Sequence, residues 1–102
     1  MNYKQKLQKG YAKPFRSKNY LAWVKAQTCP CGAPADDPSH VNVGGYKGMG
    51  TKASDLFVWP SCRPCHQMYE VNRSKWHEFF GSEWEWVALT IAQAVDEGII
   101  EI

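Results

Sequence analysis

A chain of 102 residues with 44% apolar side chains, 22% charged side chains and a net charge of +2 has the proportions of one small globular domain. That composition excludes an intrinsically disordered chain and a collagen-like one, and no apolar run approaches the ~20 residues needed to span a bilayer. No charged-then-apolar leader opens the sequence, so a soluble, cytoplasmic protein without membrane contact is expected.

The small net charge hides a split. Residues 1–75 hold all twelve Lys and Arg but four acids, whereas residues 76–102 hold six acids and no Lys or Arg. The first 17 residues read as an irregular basic arm broken by Gly10 and Pro14. Lys4, Lys6, Lys9, Lys13 and Arg16 alternate there with Tyr3, Tyr11 and Phe15. Such a pattern suits a polyanion, because Lys and Arg displace condensed counterions and aromatic rings stack on bases. Lys13 and Arg16 are therefore candidate nucleic-acid contacts; the plain alternative is a solvated, frayed terminus.

Residues 18–102 are expected to form the folded domain. Ser17 can cap a helix over residues 18–27 that turns Tyr20, Trp23 and Val24 inward. Residues 28–38 (TCPCGAPADDP) are turn chemistry. His40–Val43 reads as a short strand, Gly44–Gly50 as a flexible loop with four glycines, and Leu56–Trp59 as a second strand ended by Pro60. A helix starts at or just after Cys62–Cys65 and runs to about Asn72. Trp76–Phe80 predicts one or two helical turns ended by Gly81. Ser82 and Glu85 form a capping box for a longer helix, with Trp84, Val87, Ala88, Ile91 and Val95 on one face and Gly98 at its end. His77 reads as a surface or packing residue, and Trp76, Trp84 and Trp86 as core or interface.

A core of this size is marginal, and small domains often need a staple. Cys29, Cys31, Cys62 and Cys65 supply one: a C-x-C and a C-x-x-C pair about thirty residues apart suit a structural Zn²⁺ held by four thiolates. Four thiolates leave no open position for substrate, so any chemistry lies in what the zinc holds together. His40 stands between the pairs, and His66 follows Cys65 directly, with Glu70 one helical turn later on the same face. If one ion ties both ends, the intervening ββα hairpin folds back and brings His40 toward His66.

The run Asp36–Glu70, DDPSHVNVGGYKGMGTKASDLFVWPSCRPCHQMYE, resembles the HNH, or His-Me finger, nucleases. More narrowly it resembles the phage recombination-enhancing nuclease (Ref) family and related small prophage nucleases. GGxxGMGTKASDLF followed by CxxCH is the specific part; the preceding YLAWVKA helix and the helical tail also fit, so the likeness covers roughly residues 18–100. It implies an α+β fold: a small zinc-stapled ββα-metal core with flanking helices and a basic N-terminal arm. It further implies DNA phosphodiester hydrolysis with a catalytic Mg²⁺ or Mn²⁺, and a recombinase filament as a partner.

On this carry-over His40 is the general base, His66 and Glu70 are ligands of the catalytic cation, and Asp55 orients His40 through its other nitrogen or through backbone. Ser39 stands where the family often has a metal ligand, and Asp37 is the candidate to reach in instead, with water as the alternative. Lys47 and Lys52 in the Gly-rich loop, and Arg63 in the knuckle, are candidate phosphate contacts. Two rival readings remain open: a non-catalytic zinc module that binds DNA or a recombination protein, and a nuclease directed at RNA.

Overall fold

The computed structural model describes residues 1–42 and 52–102. The expected glycine loop with Lys47, and the last residue of the expected first strand, Val43, lie outside them. The chain forms five helices and two strands among the described residues, in the order α1 (Tyr3–Gln8), α2 (Lys18–Lys25), β1 (Asp37–His40), β2 (Val58–Ser61), α3 (Arg63–Val71), α4 (Arg73–Phe80) and α5 (Glu83–Asp96). This is a small α+β fold with a Cα radius of gyration of 13.7 Å.

Part of the basic arm, expected to be irregular, is helical. Asn2 and Gln5 make a reciprocal capping box: Gln5 N–H donates to Asn2 Oδ1 at 2.9 Å, and Asn2 N–H donates to Gln5 Oε1 at 3.0 Å. In α2, Ser17 Oγ accepts from the Tyr20 amide, and Tyr20 and Val24 are buried, as the sequence predicts.

The two strands pair antiparallel, with Pro38 facing Pro60. Both are shifted from the expected positions: β1 ends, rather than begins, at His40, and β2 runs through Pro60 instead of stopping before it. Hydrogen-bonded and non-bonded pairs alternate along such a ladder. The Val41 amide bonds Phe57 O at 3.0 Å, which places 41, 39 and 37 at bonded positions and the prolines at a pair that needs no donor. The start of β2 is delayed because Ser54 Oγ takes the Leu56 amide and Ser54 O takes the Phe57 amide, which makes a turn.

β2 is buried on both faces. Val58 packs with Tyr20, Val24 and Ala94 on one side. Trp59 packs on the other with Val41, Ala53, Tyr69, Trp76 and Val87. The alternation of strand side chains thus divides the core in two. In the larger half, Trp59, Tyr69 and Trp76 meet with ring centroids 4.8–5.3 Å apart in edge-on or tilted contacts, each worth about 0.5–1.5 kcal/mol beyond area burial.

The acidic tail is helical as expected, with two differences. Asn72 ends α3 and caps α4 through its side chain, bonded by the Lys75 amide, so α4 begins at Arg73 and not near Trp76. In α5, Ser82 Oγ accepts from the Trp84 amide rather than from that of Glu85. Its buried positions are Glu83, Val87, Thr90 and Ala94, a stripe turned from the predicted one; Ala88 is exposed. Gly98 has φ +74°, the left-handed backbone of a helix C-terminus. No described helix is long and apolar enough to cross a membrane.

Candidate functional site

The four cysteines converge. Their sulfurs all lie within 4.8 Å of one another, with Cys29, Cys62 and Cys65 buried and Cys31 exposed. Cys31 Sγ and Cys62 Sγ are 3.7 Å apart. Tetrahedral zinc with Zn–S bonds of ~2.3 Å places sulfurs about 3.8 Å apart, whereas a disulfide would need about 2.05 Å. The C-x-C pair reaches the site on a tight turn: Cys29 N–H bonds Ala33 O, Gly32 N–H bonds Cys29 O, and Gly32 takes φ +94°. The second pair sits at the start of α3, with Cys62 as the N-cap residue and Pro64 in the first turn.

Burial raises the pKa of Cys29 and Cys65, while the Ala33 amide brings Cys31 down to about 7. Crowded buried thiols of this kind gain most from a cation that turns them all into thiolates. The geometry and donor chemistry fit one structural Zn²⁺. The cluster packs on Ala33 and Phe80, and Phe80 meets Trp76, so the staple is continuous with the core.

At the other end of β1, two adjacent residues are tied to different elements. His40 Nε2 lies 2.8 Å from Asp55 Oδ1. Asp55 is itself held from the arm: the Ser17 amide donates to Oδ2 at 2.8 Å, and Arg16 Nη1 lies 3.3 Å from Oδ1. Arg16 also donates to Ala53 O at 2.6 Å and to Lys52 O at 2.7 Å, and Asp55 N–H donates to Phe15 O at 2.9 Å. Hydrogen bonds from His40 and Ser17 hold Asp55 ionised, with a pKa below the ordinary carboxylate value despite burial. An ionised acceptor on Nε2 selects the Nε2–H tautomer and leaves Nδ1 as the basic atom. Burial also keeps His40 neutral by lowering its pKa, with Lys52 and Arg16 pushing the same way against the pull of Asp55.

Ser39, fully buried, turns to α3, where its Oγ is 2.5 Å from His66 Nδ1. That fixes the ring and leaves His66 Nε2 facing Glu70 Oε1 at 3.5 Å. Glu70 Oε2 is held by Asn42 Nδ2 at 3.0 Å. No third His, Cys or carboxylate group joins His66 and Glu70 among the described residues.

Asp37 is not brought to them. Its carboxylate is 3.6 Å from Arg63 Nη2, while neighbouring Asp36 accepts the Arg63 amide at 2.8 Å. The two acids thus serve the positive N-terminal end of α3, which Cys62 leaves without a side-chain cap.

Of the other predicted contacts, Lys13, Lys52 and Arg63 are exposed, and the Arg16 guanidinium is turned toward Asp55 and three carbonyls. Sequence reasoning missed a polar chain that runs through buried Tyr69 and Glu83. Tyr69 O–H donates to Glu83 Oε2 at 2.7 Å, His77 Nε2 is 3.0 Å from Glu83 Oε1, and the Asn42 amide donates to Tyr69 Oη at 3.0 Å. The only signal for it was an acid in the first turn of an apolar helix, which ordinarily reads as a solvated cap.

Comparison with known proteins places the chain in a family. Its residues 5–98 match the family described as "Protein of unknown function (DUF968)", and the chain belongs to it. A relative in Escherichia coli (strain K12), "Uncharacterized protein YdfU", is 43% identical over 82 residues. That match covers 79% of this chain and 24% of the relative, so the chain spans about a quarter of the relative's length. No solved structure shows a significant match. The family description states no activity, so the chemistry rests on the site itself.

Proposed function

We propose that the chain is a metal-dependent endonuclease that hydrolyses DNA phosphodiester bonds, with His40 as general base. The observation that carries this reading is the Asp55–His40 pair at 2.8 Å, which fixes a neutral imidazole with Nδ1 as its basic atom, one residue from the Ser39–His66–Glu70 line. The β1–β2–α3 order, the cysteine cluster at the start of α3 and the likeness of Asp36–Glu70 to the HNH nucleases, especially the Ref family, support the same reading.

In this reaction His40 Nδ1 takes a proton from the attacking water as the water oxygen bonds to phosphorus. Asp55 keeps the imidazole in the required tautomer and stabilises the imidazolium that forms. Arg16 and the Ser17 amide hold Asp55 in place. His66 and Glu70 would hold Mg²⁺ or Mn²⁺, whose contribution when bound is to offset the negative charge that develops on the phosphate oxygens. Two protein donors are a small set, which suits a hard cation that completes its shell with water and phosphate oxygens. Lys13, Lys52, Arg63 and Lys47 supply backbone contacts. No helix among the described residues is rich in base-reading side chains, so little sequence readout follows. The likeness to the Ref family gives a phage or prophage recombination setting, with a recombinase filament as partner.

A second reading, a non-catalytic zinc module that binds DNA or a recombinase, is favoured by one observation: Ser39 ends in a hydrogen bond to His66 and is not a third ligand. Supercoiled plasmid, matched single-stranded DNA and RNA, each incubated with the chain and Mg²⁺ or Mn²⁺, separate the readings. Cation-dependent nicking of DNA is the expected result. DNA binding without turnover favours the module, and turnover of RNA alone moves the substrate.

A further inference from the structure

We propose that Asn42 is a positioning residue for a divalent cation at His66 and Glu70, itself held by a hydrogen-bond chain through buried Tyr69 and Glu83 to His77. The inference rests on the reading of His66 and Glu70 as a cation pair.

Glu83 is 3% exposed, and a carboxylate so placed is strongly disfavoured unless its oxygens are paired. Both are: Tyr69 O–H donates to one at 2.7 Å, and His77 Nε2 faces the other at 3.0 Å. With its proton committed to Glu83, the Tyr69 oxygen is left as an acceptor, and it receives the Asn42 backbone amide at 3.0 Å. Arg73 Nη1 donates to the Asn42 carbonyl at 3.3 Å. The backbone of residue 42, two residues beyond His40, is thereby fixed on both sides.

From that fixed point the Asn42 carboxamide donates to Glu70 Oε2 at 3.0 Å. Ser39 does the equivalent for His66 at Nδ1. Each candidate ligand therefore has one polar atom restrained and one left over. The two left over, Glu70 Oε1 and His66 Nε2, face each other at 3.5 Å. That separation exceeds a good N–H···O hydrogen bond of 2.7–3.2 Å. Ligand bonds of roughly 2.0–2.3 Å to one ion place neighbouring donors about 3 Å apart, so a small closure seats a cation between them. Partners that restrain metal ligands in this way typically change affinity 10–100-fold.

The test is Mn²⁺ binding to the zinc-loaded 102-residue chain, followed by electron paramagnetic resonance, together with melting of the Mn²⁺-free protein. Asn42→Ala deletes the bond to Glu70 but keeps both backbone bonds. It should weaken Mn²⁺ at least about tenfold and leave melting unchanged. Tyr69→Phe should weaken Mn²⁺ in the same direction, and Glu70→Ala should abolish the site. If Asn42→Ala binds as tightly as the native chain while Glu70→Ala does not, the positioning role falls and the cation pair stands. A loss in Asn42→Ala matched by an equivalent loss of melting temperature also overturns it, since a purely structural residue would behave so. Absence of Mn²⁺ binding by the native chain, or binding that survives Glu70→Ala, removes the pair and the inference together.

Discussion

At the scale of single residues, His40 is defined by its surroundings more than by its place in the sequence. Burial, Lys52 and Arg16 favour the neutral ring, and Asp55 opposes them without prevailing. A base that works as neutral imidazole should keep its full rate below the ordinary histidine value of 6.5, with the acid limb of the cleavage profile starting lower. The same shift acts on folding. Between the lowered value and 6.5 the unfolded chain binds the proton that the folded chain refuses, so stability falls as pH drops through that window. Thermal melting of zinc-saturated protein between pH 7 and 5 should show a smaller acid loss for His40→Gln than for the native chain; equal losses would show that His40 is not shielded. His66 and Glu70 were legible as candidates because the C-x-x-C-H spacing and the helical period mark them, and His40 because of the resemblance of Asp36–Glu70 to the HNH nucleases. The anchors of Asp55 were not. Arg16 sits in a run of exposed basic residues, and nothing local distinguishes the one that folds back onto residues 52–55.

At the scale of elements, helix ends marked by a Ser or Gly beside a clear apolar period could be read and strand limits could not. Ser17, Ser82 and Gly98 stop or start helices where their chemistry dictates. Pro38 and Pro60 look like strand breakers, but a ladder position without donors accepts both, and that is a property of the pairing register. Asn2 and Asn72 were missed as caps because the residues after them lack a clear apolar period. The rotated stripe of α5 has a tertiary cause: Tyr69 and His77 pair the two carboxylate oxygens of Glu83 and so admit a charge to the buried face. Ser17 joins element to site through two different groups, since its hydroxyl caps α2 and its amide holds Asp55. Ser17→Ala should cost about 1 kcal/mol of stability by denaturant titration and leave the cleavage rate of folded protein unchanged. A large drop in rate at full folding would show that the hydroxyl, and not the amide, serves the site.

At the scale of the whole molecule, the cysteine cluster joins the 28–36 turn to the start of α3, and the core of so short a chain is small. The cysteine spacing made this staple legible, although not that Cys31 would be the exposed member. Removing zinc with a strong chelator, or replacing buried Cys62 by Ser, should lower melting sharply and abolish binding and cleavage together; native-like melting of the chelated chain would contradict a zinc-dependent fold. Charge is also organised at this scale, with every Lys and Arg in residues 1–75 and an acidic tail beyond. DNA affinity should therefore fall steeply with salt, and Arg63→Ala should reduce the slope by about 0.9, the share of one phosphate contact. The proposed activity stands or falls on whether His40 activates water at a cation-dependent site. Its most direct test is nicking of supercoiled plasmid in Mg²⁺ or Mn²⁺ by the native chain and by His40→Ala, at matched zinc content and melting temperature. Nicking that needs the cation and disappears in His40→Ala is the expected result. Nicking retained by His40→Ala would contradict it.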